Sequence, residues 1–308
     1  MKPISVDGRP TLLRWPRDEA AHLDFPWEVW WVTAEVESVA GRRFAAHFMA
    51  SHTAGRMMRI HVSLREMDDG PLLSRHLKSA SAVAGIATDR LSLRAPLGSF
   101  YGSFADGYRV AGDLEGSGGF DLALDPASPV LLNGGAGSFL LGEAVTTQYS
   151  VPGLRVSGKI LIGRESHQVE GSAWYDRQWI RHGRFSDTGG AFAWFGVVLT
   201  DGRAVSLWDT SVRPGGGSTW ATVLQPDGTH IVTTAETEVI GGEAISSESG
   251  QTIPHGWVLS MPGIDARLQV RHRLAQESSR TFYTGVLEVT GTVAGDSVQG
   301  RGFCDLVG

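Results

Sequence analysis

The stretch Gly171-Ser-Ala-Trp174-Tyr175-Asp176-Arg177-Gln178-Trp179 sets one carboxylate between two tryptophans, at the end of a strand-like run from Ser166 to Ala173. A carboxyl group walled by large apolar rings loses hydration of its charged form, so its pKa rises. Kept neutral near pH 7, such a group can protonate an alkene or polarise a carbonyl. Asp176 is therefore the candidate acid, with Trp174 as its aromatic neighbour and His182 as the candidate base. The candidate substrate-binding residues are Glu28, Trp30, Trp31, Tyr175, Trp179, Trp194 and Trp208.

Each has an ordinary structural reading. Asp176 can cap a turn or pair with Arg177 or Arg181. Arg177 beside it would weaken it as an acid, although neighbours along a strand face opposite sides. By the same rule only one of Trp30 and Trp31 can line a given cavity. The other tryptophans read equally well as core, and Glu28 as an ordinary surface residue.

Other chemistries find no support. His47, His52 and His61 match no ligand spacing and no His-Glu-x-x-His is present, so they read as surface or strand residues rather than a metal site. The glycine clusters at 116–119, 134–137 and 215–217 lack the lysine of a phosphate loop and the spacing of a dinucleotide fingerprint. There is no Gly-x-Ser-x-Gly elbow. A single cysteine, Cys304, leaves no internal disulfide or thiolate cluster. The expectation is a site that works without metal or organic cofactor.

The elements that must hold these residues read as β almost throughout. Trp30, Val32, Ala34 and Val36 alternate with Trp31, Thr33, Glu35 and Glu37. Met58 to Arg65, Phe120 to Asp125 and Leu154 to Ile160 repeat the pattern. Period two with one apolar face marks antiparallel strands. Asp201-Gly202 and Pro226-Asp227-Gly228 read as hairpin turns, and Leu268–Leu274 and Phe282–Val293 as later strands. One short helix is expected over Pro71 to Ala84. Many short strands with glycine-rich turns, 308 residues, 42% hydrophobic content and 10 tryptophans together predict two all-β barrels or sandwiches. The crossover is expected at Gly183–Gly190, dividing the chain into residues 1–183 and 184–308.

Net charge is −6 and no basic stripe occurs, so nucleic acid is not an expected partner. Nor is a protein partner evident. Residues 1–17 lack the apolar core of a secretory signal, and no apolar run approaches the ~20 residues of a membrane helix. The expected location is the cytoplasm, without stable membrane insertion.

Several segments in order resemble the carotenoid-hydratase/AttH-like, double-lipocalin family. They are Arg17-Asp18…His22 with Glu28-Val29-Trp30-Trp31, Pro129 to Gly135, Tyr149 to Gly158, Gly171 to Trp179, and Gly300 to Asp305. The resemblance implies two lipocalin-like antiparallel β-barrels around an apolar pocket, with Asp176 as proton donor and an aromatic residue at Trp174. Its members include hydratases of isoprenoid double bonds, and related fungal proteins catalyse Diels–Alder-type cyclisations. The chain departs from the family pattern at Arg177, where a histidine is usual, at the insertion in Glu28–Trp31, and at Asp305, where glutamate is usual. The expected function is a cofactor-independent cyclase or isomerase acting on an apolar polyene, polyketide or terpenoid intermediate. The alternatives are a hydratase and a non-catalytic carrier of an apolar small molecule.

Overall fold

Period-two patterning becomes antiparallel sheet along nearly the whole chain. The computed structural model describes residues 13–308 apart from 69, 81–84, 184–189, 214, 246–251 and 279–281, with a short strand pair, Ser5–Val6 and Arg9–Pro10, before them. The first sheet runs edge to edge through Leu73–Ser79, Met57–Glu66, Arg43–Thr53, Trp27–Ser38, Glu165–His182, Ala144–Ile162, Gly118–Asp125, Gly107–Asp113, Gly98–Ser103 and Leu91–Ala95. Leu131–Leu132 and Ser138–Leu141 pair with the first half of Ala144–Ile162. The second sheet runs through His230–Thr234, Thr219–Leu224, Ala204–Asp209, Phe192–Leu199, Asp296–Val307, Phe282–Val293, Ala266–Ser278, Thr252–Met261 and Glu236–Ile245.

Each sheet curls round its own apolar core, giving two lipocalin-like half-barrels. The curl is tight enough to reserve space for a glycine. A Cβ built on Gly112 would stand 2.4 Å from the Val62 side chain, which arrives from a distant strand. The longest strands, Ala144–Ile162 and Glu165–His182, form one hairpin at the centre of the first sheet. Its register slips between Val151 and Leu154, at Pro152-Gly153. Bulges of this kind re-aim side chains beside functional sites.

The two sheets also meet outer face to outer face. A third apolar cluster, containing Trp174, Trp194, Trp208, Val286 and Phe303, fills that contact. The strand Trp27–Ser38 is consequently buried on both faces, and Trp30 and Trp31 are both hidden from solvent.

The helix expected over Pro71 to Ala84 is absent from its described part: Leu73–Ser79 is an edge strand with alternating exposure. Leu73 and Leu77 satisfy a helical spacing and a period of two equally well, and pairing with Met57–Glu66 decides for the strand. Residues 81–84 lie outside the described residues, as do 184–189 of the expected crossover. The first sheet ends at His182 and the second begins at Phe192.

Candidate active site between the two sheets

Strand pairing assembles the site in rows. Trp31, Asp176 and Ser150 are directly opposite one another across three strands, and Val29, Gln178 and Gln148 form the next row. Cross-strand neighbours of this kind have Cβ atoms roughly 5 Å apart. The second sheet presents Trp194 and Phe192, Trp208, Phe282, and Asp305 with Val307 to the same space. The result is a cavity of ≈ 330 Å³ with mainly aromatic and aliphatic walls.

Asp176 lines this cavity and is only 6% exposed. Burial pushes its carboxyl up to about 7, with Ser150, Trp174 and Gln148 offsetting part of the shift. A hydrogen-bond chain links it to the second sheet. The Trp194 indole N–H donates to Ser206 Oγ at 2.9 Å, and the Ser206 hydroxyl donates to Asn133 Oδ1 at 2.6 Å. Asn133 Nδ2 donates to Ser150 Oγ at 3.2 Å, and the Ser150 hydroxyl donates to Asp176 Oδ1. An indole nitrogen can only donate, so every hydroxyl proton along the chain points toward the carboxyl group. Asp176 Oδ1 is thus the acceptor at the end of the chain. Ser150→Ala removes a hydrogen bond to the charged form, so the pKa of Asp176 rises further. The basic limb of the activity profile is then expected to move to higher pH. An unmoved limb would show that this hydroxyl does not support the carboxylate.

Arg177, next along the strand, faces the opposite way, into the first barrel. Its Nη2 donates to Glu28 Oε1 at 2.5 Å and to the Ala20 carbonyl at 2.8 Å, and its guanidinium lies 4.0 Å over the Trp30 ring. Glu28 also meets the His22 ring at 2.6 Å and His52 at 2.9 Å. Burial pushes the Glu28 carboxyl up, but Arg177, His22 and His52 together outweigh it and hold it well below the usual carboxylate range. His22 reaches Asp18 at 3.3 Å. This network ties the segment 14–25 over one end of the first barrel.

The structure sorts the expected site residues accordingly. Asp176, Trp31, Trp194 and Trp208 line the cavity. Trp174 lies behind the wall, edge-on to Trp194 at 5.8 Å. Trp30, Tyr175 and Trp179 alternate onto the inner face and pack in the first barrel's core. Glu28 is neither a surface residue nor a cavity group: it is fully buried in the Arg177 network. Its strand neighbours Trp27 and Val29 take the cavity face instead. His182 stands exposed at the end of its strand, outside the cavity lining.

His47, His52 and His61 are strand residues, but buried rather than on the surface, because the second sheet or the barrel end covers them. His61 stacks flat on His76 at 4.0 Å, a geometry that turns ring nitrogens away from a common ion. Among the described residues no group of three His, Cys, Asp or Glu is placed to hold a metal.

Residue-type reasoning passed over Gln148, Gln178, Asn133, Ser150, Phe192 and Phe282. Gln178 was findable by counting two from Asp176. Asn133 and Ser150 sit in segments already singled out as Pro129–Gly135 and Tyr149–Gly158. Nothing local distinguishes Phe192 and Phe282, since their role depends on how the sheets dock.

A family model described as AttH-like matches residues 7–308. The chain is 27% identical over 207 residues to dehydratase asqC of Emericella nidulans, covering 61% of this chain and 58% of that protein. It is 27% identical over 201 residues to kievitone hydratase of Fusarium solani subsp. phaseoli, covering 61% and 56%. The chain thus matches less than two thirds of the length of these curated relatives. The crystal structure of kievitone hydratase from Nectria haematococca superposes with a TM-score of 0.82 at 17% identity, over 96% of this chain and 93% of that one. That of CghA with Sch210972 gives 0.58 at 16% identity, over 92% and 88%. At these identities the likeness to the solved structures establishes a shared fold.

Proposed function

The chain belongs to the AttH-like family, and from that footing we propose that it is a hydratase- or cyclase-type enzyme in which Asp176 is the acid. Relatives named as a dehydratase and a hydratase support this reading. The observation that carries it is the buried Asp176 carboxyl group, raised to about 7 and hydrogen-bonded by Ser150, facing a tryptophan-walled cavity.

Addition or removal of water is the reading we favour. Asp176 protonates an alkene carbon of an apolar substrate, and in the reverse direction its carboxylate takes that proton back from carbon. Gln148 and Gln178 supply amide donors and acceptors on the same wall, suited to holding the water. The aromatic walls hold the reacting conformer, a contribution of several kcal/mol. Cyclisation of a polyene is the second reading. It uses the same acid and walls and is favoured by how little polar surface the cavity offers.

Mass spectrometry of products from kievitone and a panel of prenylated phenols and polyenes separates these outcomes. A gain or loss of one water supports hydration or dehydration, and an unchanged mass with altered retention supports cyclisation. Binding without conversion across the panel would leave a carrier. Hydration or cyclisation activity is expected to fall as pH rises through about 7, because Asp176 loses its proton there.

A further inference from the structure

Asp305 lies on Asp296–Val307, the closing strand of the second sheet, and lines the same cavity as Asp176. Parity puts it there: Phe303, Asp305 and Val307 share the face turned to the first sheet, while Cys304 faces its own barrel's core. Its strand partners are Trp194 on one side and Thr284 on the other. The Thr284 hydroxyl donates to Asp305 Oδ1 at 2.8 Å, and Thr284 itself is fully buried. Asp305 keeps partial solvent contact, whereas Asp176 is buried. A donated hydrogen bond and solvent contact are what stabilise a carboxylate anion. Two carboxyl groups in one site, in contrasting surroundings, is the pattern that separates an acid from its complementary base.

Protonation of an alkene by Asp176 creates a positive charge on a substrate carbon. The aromatic rings of Trp31, Trp194 and Phe282 line the cavity, and such rings can stabilise a cation. They cannot accept a proton from the water that must attack it.

We propose that Asp305 is the second functional carboxylate of this cavity, the counter-ion of a cationic reaction centre and the base for the attacking water. The proposal rests on the reading of Asp176 as the acid. In hydration the Asp176 O–H bond breaks and its proton bonds to one alkene carbon. The water oxygen bonds to the other carbon as its proton passes to Asp305. The product gains one water, and exchange with solvent returns both carboxyl groups to their starting states. Dehydration runs the same steps backward, with Asp305 protonating the leaving hydroxyl and Asp176 taking the carbon-bound proton.

Benzyltrimethylammonium and neopentylbenzene share one shape and differ in charge, so together they read the anion without knowledge of the substrate. Their binding is followed by quenching of tryptophan fluorescence at about pH 6, where Asp176 is protonated. The wild type is expected to prefer the cation roughly tenfold. Asp305→Asn should lose that preference while keeping its affinity for the neutral probe, and Asp305→Glu should retain it. Asp176→Asn should retain it too. A preference that is absent in the wild type, or persists in Asp305→Asn, overturns the proposal while leaving Asp176 as the acid. A preference lost in Asp176→Asn but kept in Asp305→Asn would put the anion at Asp176 and overturn the acid reading itself.

Discussion

Asp176→Asn is expected to reduce turnover about a thousandfold, the scale on which a positioned general acid contributes. The substitution keeps the shape of the side chain and can still accept from Ser150, so the fold and apolar ligand affinity should survive. Its effect on stability has the opposite sign. The folded pKa of Asp176 is raised from 3.8 to about 7, so the native state binds this proton more tightly than the unfolded chain. That contribution is complete below the unfolded value near 3.8 and is lost as pH rises through about 7. Above pH 7 the wild type must therefore hold a buried charge at a cost on the order of a few kcal/mol. Asparagine carries no such charge, so the gain in stability of the variant over wild type should be full at alkaline pH, narrow below neutrality and vanish only near pH 3.8. Urea unfolding at intervals from about pH 4 to pH 8, beside a turnover assay, tests the pair of expectations. A variant that is active and no more stable at high pH would mean that Asp176 is not a buried acid.

The largest structural effect is expected at Arg177. Arg177→Met strips Glu28 of its strongest partner inside the first barrel, and removing one member of a buried ion pair costs about 3–5 kcal/mol. The double change Arg177→Met with Glu28→Gln should recover part of that loss, because no uncompensated charge remains. The pH dependence follows from Glu28 having a depressed pKa. Its contribution is present above the ordinary glutamate value near 4.5 and is lost as pH falls toward the lowered one. His22 runs the other way. Burial pushes it down, but Asp18 and Glu28 raise it overall, so its contribution is full below 6.5 and fades as pH climbs through the raised value. Denaturation midpoints of the single and double variants across pH check all three statements. Equal destabilisation by the single and double changes would show that the ion pair carries no coupling.

The two residues side by side show why the chemistry of the central motif is partly visible in the chain. Asp176 and Arg177 are adjacent, and a strand sends them to opposite faces, so they serve separate networks. Period two also predicts that Trp30 and Trp31 part company, and they do, one into the barrel and one onto the cavity. What alternation does not say is which face is the reactive one. Residue type allowed Glu28 to be a pocket group or an ordinary surface residue, since glutamate is rarely buried, and the structure makes it neither. Its burial depends on Arg177, His22 and His52 arriving from three other segments, and no local pattern records that meeting.

The ordered motifs acquire physical meaning in the same way. Asn133 from Pro129–Gly135 and Ser150 from Tyr149–Gly158 link Asp176 to Ser206 and Trp194 of the second sheet. The opening Asp18…His22 and Glu28 segment anchors on Arg177. The closing strand brings Asp305 to the cavity from the other side.

Strand alternation, glycine-marked turns and the tryptophan-flanked carboxylate were thus determined by the chain's own local chemistry, because the period of a strand and the preferences of a turn are set within a few residues. The cavity was decided only when two outer faces, built from residues as far apart as Trp27 and Val307, closed on each other. Docking of that kind depends on complementary shape between distant side chains. It alone selected Trp31 over Trp30, left His182 outside, and brought Phe282 and Asp305 into the cavity that Asp176 lines.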